Sequence, residues 1–212
     1  MSALTTDGKS LFVGGGFTAY RGVASSANRL AKLDPSTGAI DTTFSAPGAK
    51  SNGFDDAVLA LALDGSSLYV GGRFTQYRGA DGSASHLAKL DPATGAIDTT
   101  FSPPGGSANG FDGLVDVLGT DATSLYVGGN FGSYRGVANS ANDLAKLDLA
   151  NGGMDQTFMG GSANGFDRGE NGVLAMGLDA VHLLVGGEFS IYRNESAAVN
   201  VAVLNASTGA AE

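Results

Sequence analysis

Four Tyr-Arg pairs are the residues of this sequence whose chemistry best suits ligand binding. Each pair sets an aromatic ring with a hydroxyl beside a planar guanidinium, a combination suited to sugars and carboxylates. The pairs use 4 of the 12 basic residues of a chain that has 21 acidic ones. We predict a ligand-binding role for them; the alternative is that tyrosine packs at a sheet edge while arginine pairs with an acidic residue. The pairs are Tyr20-Arg21, Tyr77-Arg78, Tyr134-Arg135 and Tyr192-Arg193.

Three further candidates stand immediately before a recurring L-A-K-L segment, at a position that differs between its copies. They are Arg29, His86 and Asp143. A position that changes while its neighbours stay the same is a candidate for ligand specificity, although unconstrained surface varies in the same way. Because they lie at the other end of the connection that carries each Tyr-Arg pair, we expect all of these residues to border one rim of the molecule.

Aspartates recur in the turns and raise the question of a calcium site. None of them matches the D-x-[DN]-x-[DN]-G loop that supplies six or more oxygens to calcium, and turn aspartates usually accept hydrogen bonds from their own backbone. We therefore predict neither a metal nor a cofactor. The aspartate-rich turns span residues 34–41, 91–98 and 148–155, and a second series comprises Asp55, Asp112 and Asp167.

The sequence offers little for catalysis. His86 and His182 fall in different segments, no G-x-S-x-G motif occurs, and the chain has no cysteine for a nucleophile, a thiolate metal site or a disulfide. Asp116 aligns with Leu59 and Leu174 in a strand expected to be buried, so its carboxylate needs a partner, a channel water or an ion. We predict a protein that is not an enzyme; paired carboxylates in a glycoside hydrolase remain an alternative.

The charge balance argues against two classes of partner. With a net charge of −9, the chain would repel nucleic acid and anionic membranes. The longest apolar run, residues 57–63, is far too short to span a bilayer, so no membrane insertion is expected. The first residues lack the pattern of a signal peptide, so an export signal would lie outside this sequence.

These candidates sit on four copies of one sequence unit. The segment S-L-Y-V-G-G-x-F-x-x-Y-R-G and its variants place a valine at Val13, Val70, Val127 and Val185, every 57 or 58 residues. Each copy continues with L-A-K-L-D or a variant of it, and N-G-F-D segments at Asn52, Asn109 and Asn164 separate the copies. We predict repeats at about residues 1–53, 54–110, 111–165 and 166–212.

The segments within a repeat predict strands, because they are short, bounded by glycine, aspartate and proline, and lack a helical period. In the second repeat we expect strands at residues 58–63, 67–74, 87–90 and 97–101, the last two joined by a turn at 91–95. Several strands are apolar on both faces, which is typical of sheets that are covered on both sides. Glycine pairs such as Gly14-Gly15 favour a bulge or a close backbone approach.

Small residues recur on one face of the first strand, such as Ala60 and Ala62, and suit a crowded axis. We therefore predict an all-β fold, a β-propeller of four repeats in a single domain spanning residues 1–212. The chain ends before a fourth copy of the last strand, so we expect the last blade to be incomplete.

The linked pattern D-G-x-S-L-Y-V-G-G-x-F-T-x-Y-x-G, L-A-K-L-D and G-A-I-D-T-T-F resembles the delta-60 repeat over nearly the whole chain. The fourth copy departs from it at Asn194, where the others have glycine. This resemblance implies a β-propeller unit of large secreted or cell-surface proteins, mainly bacterial. It implies architecture and no particular chemistry.

We therefore expect a non-enzymatic recognition or adhesion module of an extracellular or cell-surface protein, which binds carbohydrate or a protein surface. The alternative is a structural or oligomerisation unit of a fibre or surface protein, and a homo-oligomer is compatible with either. Saturable ligand binding separates adhesion from a spacer, and substrate turnover would separate a hydrolase from both.

Overall fold

The chain folds almost entirely into short antiparallel strands. The computed structural model describes residues 1–45, 52–103, 109–160, 164–167, 171–193 and 199–212, so Asn194 lies outside the described residues. Within these ranges, four sheets of three strands each follow one another along the chain. The all-β fold class with almost no helix is therefore confirmed.

The sheets have the following strands. Sheet 1 contains β1 (Ala3–Thr6), β2 (Leu11–Gly14) and β5 (Leu30–Leu33); sheet 2 contains β6 (Val58–Leu63), β7 (Leu68–Gly72) and β8 (Leu87–Leu90). Sheet 3 contains β9 (Leu114–Thr120), β10 (Ser124–Asn130) and β11 (Leu144–Asp148); sheet 4 contains β12 (Gly172–Leu178), β13 (His182–Glu188) and β14 (Val201–Asn205). A small hairpin, β3 (Ala19–Tyr20) and β4 (Val23–Ala24), and the one-turn helix α1 (Gln156–Met159) complete the described elements.

The fourth strand predicted for each of the first three repeats does not form. In the second repeat only Ile97 pairs, through one bridge to Leu90, and the chain then turns. The turn forms because the Asp98 carboxylate accepts hydrogen bonds from the backbone N–H groups of Thr100 and Phe101, at 2.9 and 3.2 Å. The prediction of four-stranded units with a strand at 97–101 is therefore wrong.

Sheet 4 is built like the other three sheets. It has the same three strands and the same single bridge, here between Leu204 and Ala211. The prediction that the last blade lacks a strand is wrong as well, because the strand that was counted as missing is a turn in the other copies.

The glycine pairs produce both effects that the sequence predicts. Opposite Gly128 and Gly129 the register shifts, so that Asp116 is an extra residue in β9 and forms a bulge. A side chain at Gly129 would overlap the carbonyl oxygen of Leu114. The glycines therefore let the second strand pass against a bulged first strand without a clash.

The contacts divide the chain into two compact units, Met1–Gly110 and Phe111–Glu212. The boundary falls between the second and third predicted repeats. In the first unit β1 contacts β6, and in the second unit β9 contacts β12. Within each unit the first strands thus lie next to each other, as the small residues on these strands indicate.

Candidate functional site

The tyrosines of the Tyr-Arg pairs are anchored inside their own repeats. Tyr77 is only 4% exposed, and its hydroxyl donates a 2.6 Å hydrogen bond to the carbonyl oxygen of Gly95. Its ring centroid lies 4.6 Å from that of Phe54, which stacks at 4.0 Å on Phe74. Tyr134 and Tyr192 are equally buried, whereas Tyr20 is half-buried. The other hydroxyls bind the equivalent carbonyls: Tyr20 to Gly38, Tyr134 to Gly152 and Tyr192 to Gly209.

The arginines of the pairs bind backbone carbonyls of the same turns, and Arg78 and Arg193 also bind a carbonyl of the preceding repeat. Arg78 Nη2 donates to the carbonyl oxygens of Thr94 at 3.1 Å and Phe44 at 2.8 Å. Its backbone has a φ of 50°, and the guanidinium carbon lies 5.1 Å from the ring centroid of Tyr77. The equivalent donors reach carbonyls as follows: Arg21 that of Thr37, Arg135 that of Asn151, and Arg193 those of Phe158 and Thr208.

Each pair therefore holds the turn of its own repeat in place, and the second and fourth pairs also tie that turn to the repeat before it. Arg21 and Arg78 are exposed residues, whereas Tyr77 beside Arg78 is buried. Ligand binding by the eight residues of the pairs stays a prediction, but the buried rings of Tyr77, Tyr134 and Tyr192 do not offer a stacking face to a sugar.

The three variable residues lie at the opposite end of the third strand from that turn. His86 precedes β8, and its Nδ1 lies 3.0 Å from the carbonyl oxygen of Gly72. Arg29 Nη1 donates to the carbonyl oxygen of Phe17 at 3.4 Å. Asp143 is fully buried, and its Oδ1 accepts a 3.1 Å hydrogen bond from the N–H of Phe131.

All three variable residues have a left-handed backbone, with φ of 65°, 61° and 60° for Arg29, His86 and Asp143. Their side chains bind nearby backbone, while the tips of Tyr77 and Arg78 reach the turn beyond β8. In each repeat the structure thus brings the tyrosine and the arginine together at the turn after the third strand. The variable residue lies at the opposite end of that strand.

The aspartates of the two series mostly support turns. Asp91 Oδ1 accepts from the N–H groups of Ala93 and Thr94, at 2.8 and 2.7 Å. Asp55 lies before β6, and its Oδ1 accepts hydrogen bonds from the backbone N–H groups of Thr75 and Gln76, which follow β7, both at 2.9 Å. Across the described ranges, no group of three or more histidine, aspartate or glutamate side chains is arranged to hold a metal ion. Asp116 is half-buried at its bulge, not fully buried as its strand position suggested.

A polar groove recurs in the first three repeats, and it is the feature that sequence reasoning missed. The grooves have volumes of about 250, 230 and 480 Å³ in repeats one, two and three. In the second repeat the groove lies between Ser66 and Ser67 on one side and Asp91 and Ala96 on the other, with Lys89 and Asp98 within it. The Asp91 turn is the one that Tyr77 and Arg78 hold.

An ion pair lies in each groove. Lys89 Nζ is 3.3 Å from Asp98 Oδ2, and the corresponding distances are 3.1 Å for Lys32–Asp41 and 3.5 Å for Lys146–Asp155. Burial alone would raise the pKa of the Asp98 carboxyl, but the N–H groups of Phe101 and Thr100 and the Lys89 ammonium hold it below its usual value. Asp98 is thus an anion at neutral pH. A lysine followed nine residues later by aspartate is the sequence signal for this groove.

Two aromatic rings lie beside each of these lysines. Lys89 Nζ lies 5.9 Å from the ring centroid of Tyr69 and 5.7 Å from that of Phe101. The fourth repeat has Val203 and Leu184 at the positions of Lys89 and Tyr69, and so it cannot form this pair.

The fourth repeat instead carries a small exposed cluster. His182 Nδ1 lies 3.0 Å from Asp179 Oδ2, and its Nε2 lies 3.1 Å from Glu212 Oε2. The hydrogen bond to Asp179 raises the pKa of His182.

Comparisons with known proteins agree with the fold. A family model described as a domain of unknown function (DUF5122), beta-propeller, matches residues 5–44 and 64–101. No curated protein matches the chain. Among the described residues, no helix has the length and apolarity needed to cross a membrane.

Two solved structures have a similar fold. The computationally designed Ika4 protein has 12% sequence identity and a TM-score of 0.51, and the match covers 96% of this chain and 89% of that one. The extracellular domain of BT4673 from B. thetaiotaomicron, described as a putative one-component system, has 16% identity and a TM-score of 0.52. That match covers 99% of this chain but only 21% of the larger domain, so this chain spans about a fifth of its length.

Proposed function

We propose that this β-propeller-type chain is a non-enzymatic recognition module of an extracellular or cell-surface protein, and that its grooves bind the hydroxyl groups of carbohydrates. The observation that carries the proposal is the groove itself, which recurs with the same Lys–Asp pair in three repeats. The sequence resemblance to delta-60 repeats supports the extracellular setting, as does the fold that the chain shares with the BT4673 domain.

The groove has the chemistry for sugar hydroxyls. A lysine ammonium donates hydrogen bonds, an aspartate carboxylate accepts them, and the hydroxyl of Ser66 does both. The side chain at the position of Ser66 differs between repeats, Lys9 in the first and Thr123 in the third, so each groove has its own edge. Such variation would tune which hydroxyls each groove accepts.

The grooves favour several weak contacts over one tight site. Each is open to solvent and lined by charged side chains, unlike the enclosed apolar pockets that hold small ligands tightly. Three weak sites on one chain gain affinity for a surface that repeats the same sugar, because the second and third contacts become intramolecular. This is the behaviour expected of an adhesion module.

A glycan array tests the proposal. The chain, labelled with a fluorophore, is applied to immobilised neutral and acidic oligosaccharides beside a variant with Lys32→Met, Lys89→Met and Lys146→Met. Methionine keeps an unbranched apolar stem in place of each lysine and removes the ammonium group. We expect saturable binding to a subset of glycans and its loss in the variant, while Arg73→Met, which removes an exposed charge outside the grooves, binds normally.

The other outcomes identify the alternatives. A chain that binds no glycan, or a triple variant that binds as well as the parent, would contradict groove recognition and favour a structural unit. Release of reducing sugar from a bound glycan would point to a hydrolase. Thermal melting of the variants shows whether any loss of binding follows from unfolding.

A further inference from the structure

Neighbouring sheets within each unit pack through two different faces. We call the side of a sheet with Phe12, Gly14 and Leu30, and the equivalent side of the other sheets, the A face. The opposite side, with Leu68 and Val70 in sheet 2, is the B face. Side chains alternate between the two faces along each strand.

In the first unit, the A face of sheet 1 packs on the B face of sheet 2. One hydrophobic core contains Phe12 and Leu30 from sheet 1 together with Leu68, Val70 and Leu90 from sheet 2. The backbone of Gly14 lies so close to Val58 that a side chain at Gly14 would overlap a methyl group of the valine.

The second unit repeats this arrangement. A side chain at Gly128, on the A face of sheet 3, would meet Val173 of sheet 4. The Tyr126 hydroxyl and Lys146 Nζ, on the same A face, donate to the carbonyl oxygen of Ala206 at 2.8 and 3.1 Å. An A face that receives the B face of the following sheet is therefore the rule in both units.

The A face of sheet 4 is open. Leu184 and Val201 lie on it and are 47% and 64% exposed, whereas the equivalent Tyr126 and Leu144 of sheet 3 are each 1% exposed. A methyl group added at Gly186, which corresponds to Gly128, would have its nearest neighbours 3.8 and 3.9 Å away, in Asn200 and Ala175. In the described part of the chain, no valine of a following sheet meets this position as Val173 meets Gly128.

The B face of sheet 1 is the matching open surface. Leu4 lies on it and is 55% exposed, and Leu11 and Val13 are half-buried. The equivalent Leu68 and Val70 of sheet 2 are fully buried. One chain thus carries an uncovered A face and an uncovered B face, which are the two halves of the interface formed inside each unit.

We propose that two copies of this chain associate head to tail, with the A face of sheet 4 in each copy covered by the B face of sheet 1 in the other. Such an interface joins two different surfaces and closes only if it forms a ring. Two copies are the smallest assembly in which the open A face and the open B face of every chain are covered by another copy.

Salt should strengthen this association. The A face carries Leu184, Val201 and Val203, and the ionisable His182 lies at its end, so apolar burial supplies most of the contact. Each copy has a net charge of −9, and salt screens the repulsion between them. An interface built on ion pairs would respond in the opposite way.

Sedimentation velocity on the unmodified chain tests the proposal. We expect twice the chain mass over a range of concentrations, and at least about a hundredfold weaker association for either Leu184→Asp or Leu4→Asp, because each buries a charge in both interfaces. Val137→Asp is the matched control, since Val137 lies on the connection after β10 and is 62% exposed. This variant should remain dimeric. Circular dichroism verifies that each variant is folded, and Val201→Ser replaces Leu184→Asp if that variant is not.

Mixing the variants distinguishes a head-to-tail contact from a symmetric one. Equal amounts of Leu184→Asp and Leu4→Asp chains can restore one of the two interfaces, so the mixture should contain dimers that neither variant forms alone. A chain that stays monomeric at every concentration would overturn the proposal. So would a Leu4→Asp chain that dimerises like the parent, because that result would mean that two A faces pair with each other.

Discussion

The hydroxyl of Tyr77 lies 2.6 Å from the carbonyl oxygen of Gly95 and donates a hydrogen bond to it. Gly95 ends the turn whose Asp91 lines the groove of the second repeat. The same hydroxyl–carbonyl pair occurs in each of the four repeats. The Tyr-Arg pairs therefore support the groove indirectly, because they hold in place the turn that lines it.

Replacing Tyr77 separates its packing role from its hydrogen bond. Tyr77→Phe keeps the ring against Phe54 and removes only the hydroxyl, so we expect a loss of about 0.5–1.5 kcal/mol in the free energy of unfolding. Tyr77→Ala also empties the ring position, and we expect a loss of about 3–5 kcal/mol. Urea unfolding measures both, and equal stability of Tyr77→Ala and the parent would show that the ring is not a packing residue.

The bulge glycines can be tested within one sheet. A methyl group at Gly129 would overlap the carbonyl oxygen of Leu114, whereas at Gly119 it would meet nothing within 4 Å. We expect Gly129→Ala to lower the free energy of unfolding by about 1–3 kcal/mol and Gly119→Ala to leave it unchanged or slightly raised. If the two variants lose stability equally, the cost belongs to the strand backbone and the close approach is not responsible.

Alkaline pH should destabilise the chain through its buried tyrosines. Burial raises the pKa of Tyr77, Tyr134 and Tyr192 to about 12, with the neighbouring arginine opposing the shift in each case. An unfolded tyrosine has a pKa of about 10, so the folded state holds these protons more tightly. The stabilisation is present below about pH 10 and is lost as the pH rises toward 12.

Ultraviolet absorbance at alkaline pH follows this titration. The phenolate signal of the folded protein should appear in a late phase near pH 12, and Tyr77→Phe should reduce that phase. A parent protein in which every tyrosine ionises at about pH 10 while still folded would contradict the buried hydroxyls.

Sequence periodicity predicts most of this fold because each repeat must solve the same packing problem. The strands at 58–63 and 87–90 and the turn at 91–95 follow from apolar runs bounded by aspartate, proline and glycine. The prediction of a strand at 97–101 is wrong. The apolar residues of this segment do not show that the Asp98 carboxylate accepts hydrogen bonds from the backbone N–H groups of Thr100 and Phe101. A side-chain capping bond overrides the local β propensity there.

The groove could not be predicted from residue types alone. Lys89 and Asp98 lie on either side of a turn and meet only because β8 and the segment after the turn run back alongside each other. Likewise, nothing in the Y-R dipeptide shows that Tyr77 points into the core while Arg78 adopts a left-handed backbone. In a repeat protein, recurrence marks the residues that build the scaffold, and the ligand surface depends on where that scaffold leaves open space.

Chemical-shift mapping by NMR tests the central claim, groove recognition, most directly. The isotope-labelled chain is titrated with a soluble oligosaccharide that the array retains. We expect shifts at the amides of Ser67, Ala96 and Asp98 and at their equivalents in the first and third repeats, with none at the corresponding His182, Ala210 and Glu212 of the fourth. Shifts confined to Arg21, Arg78 and their neighbours, with the groove amides unmoved, would contradict it.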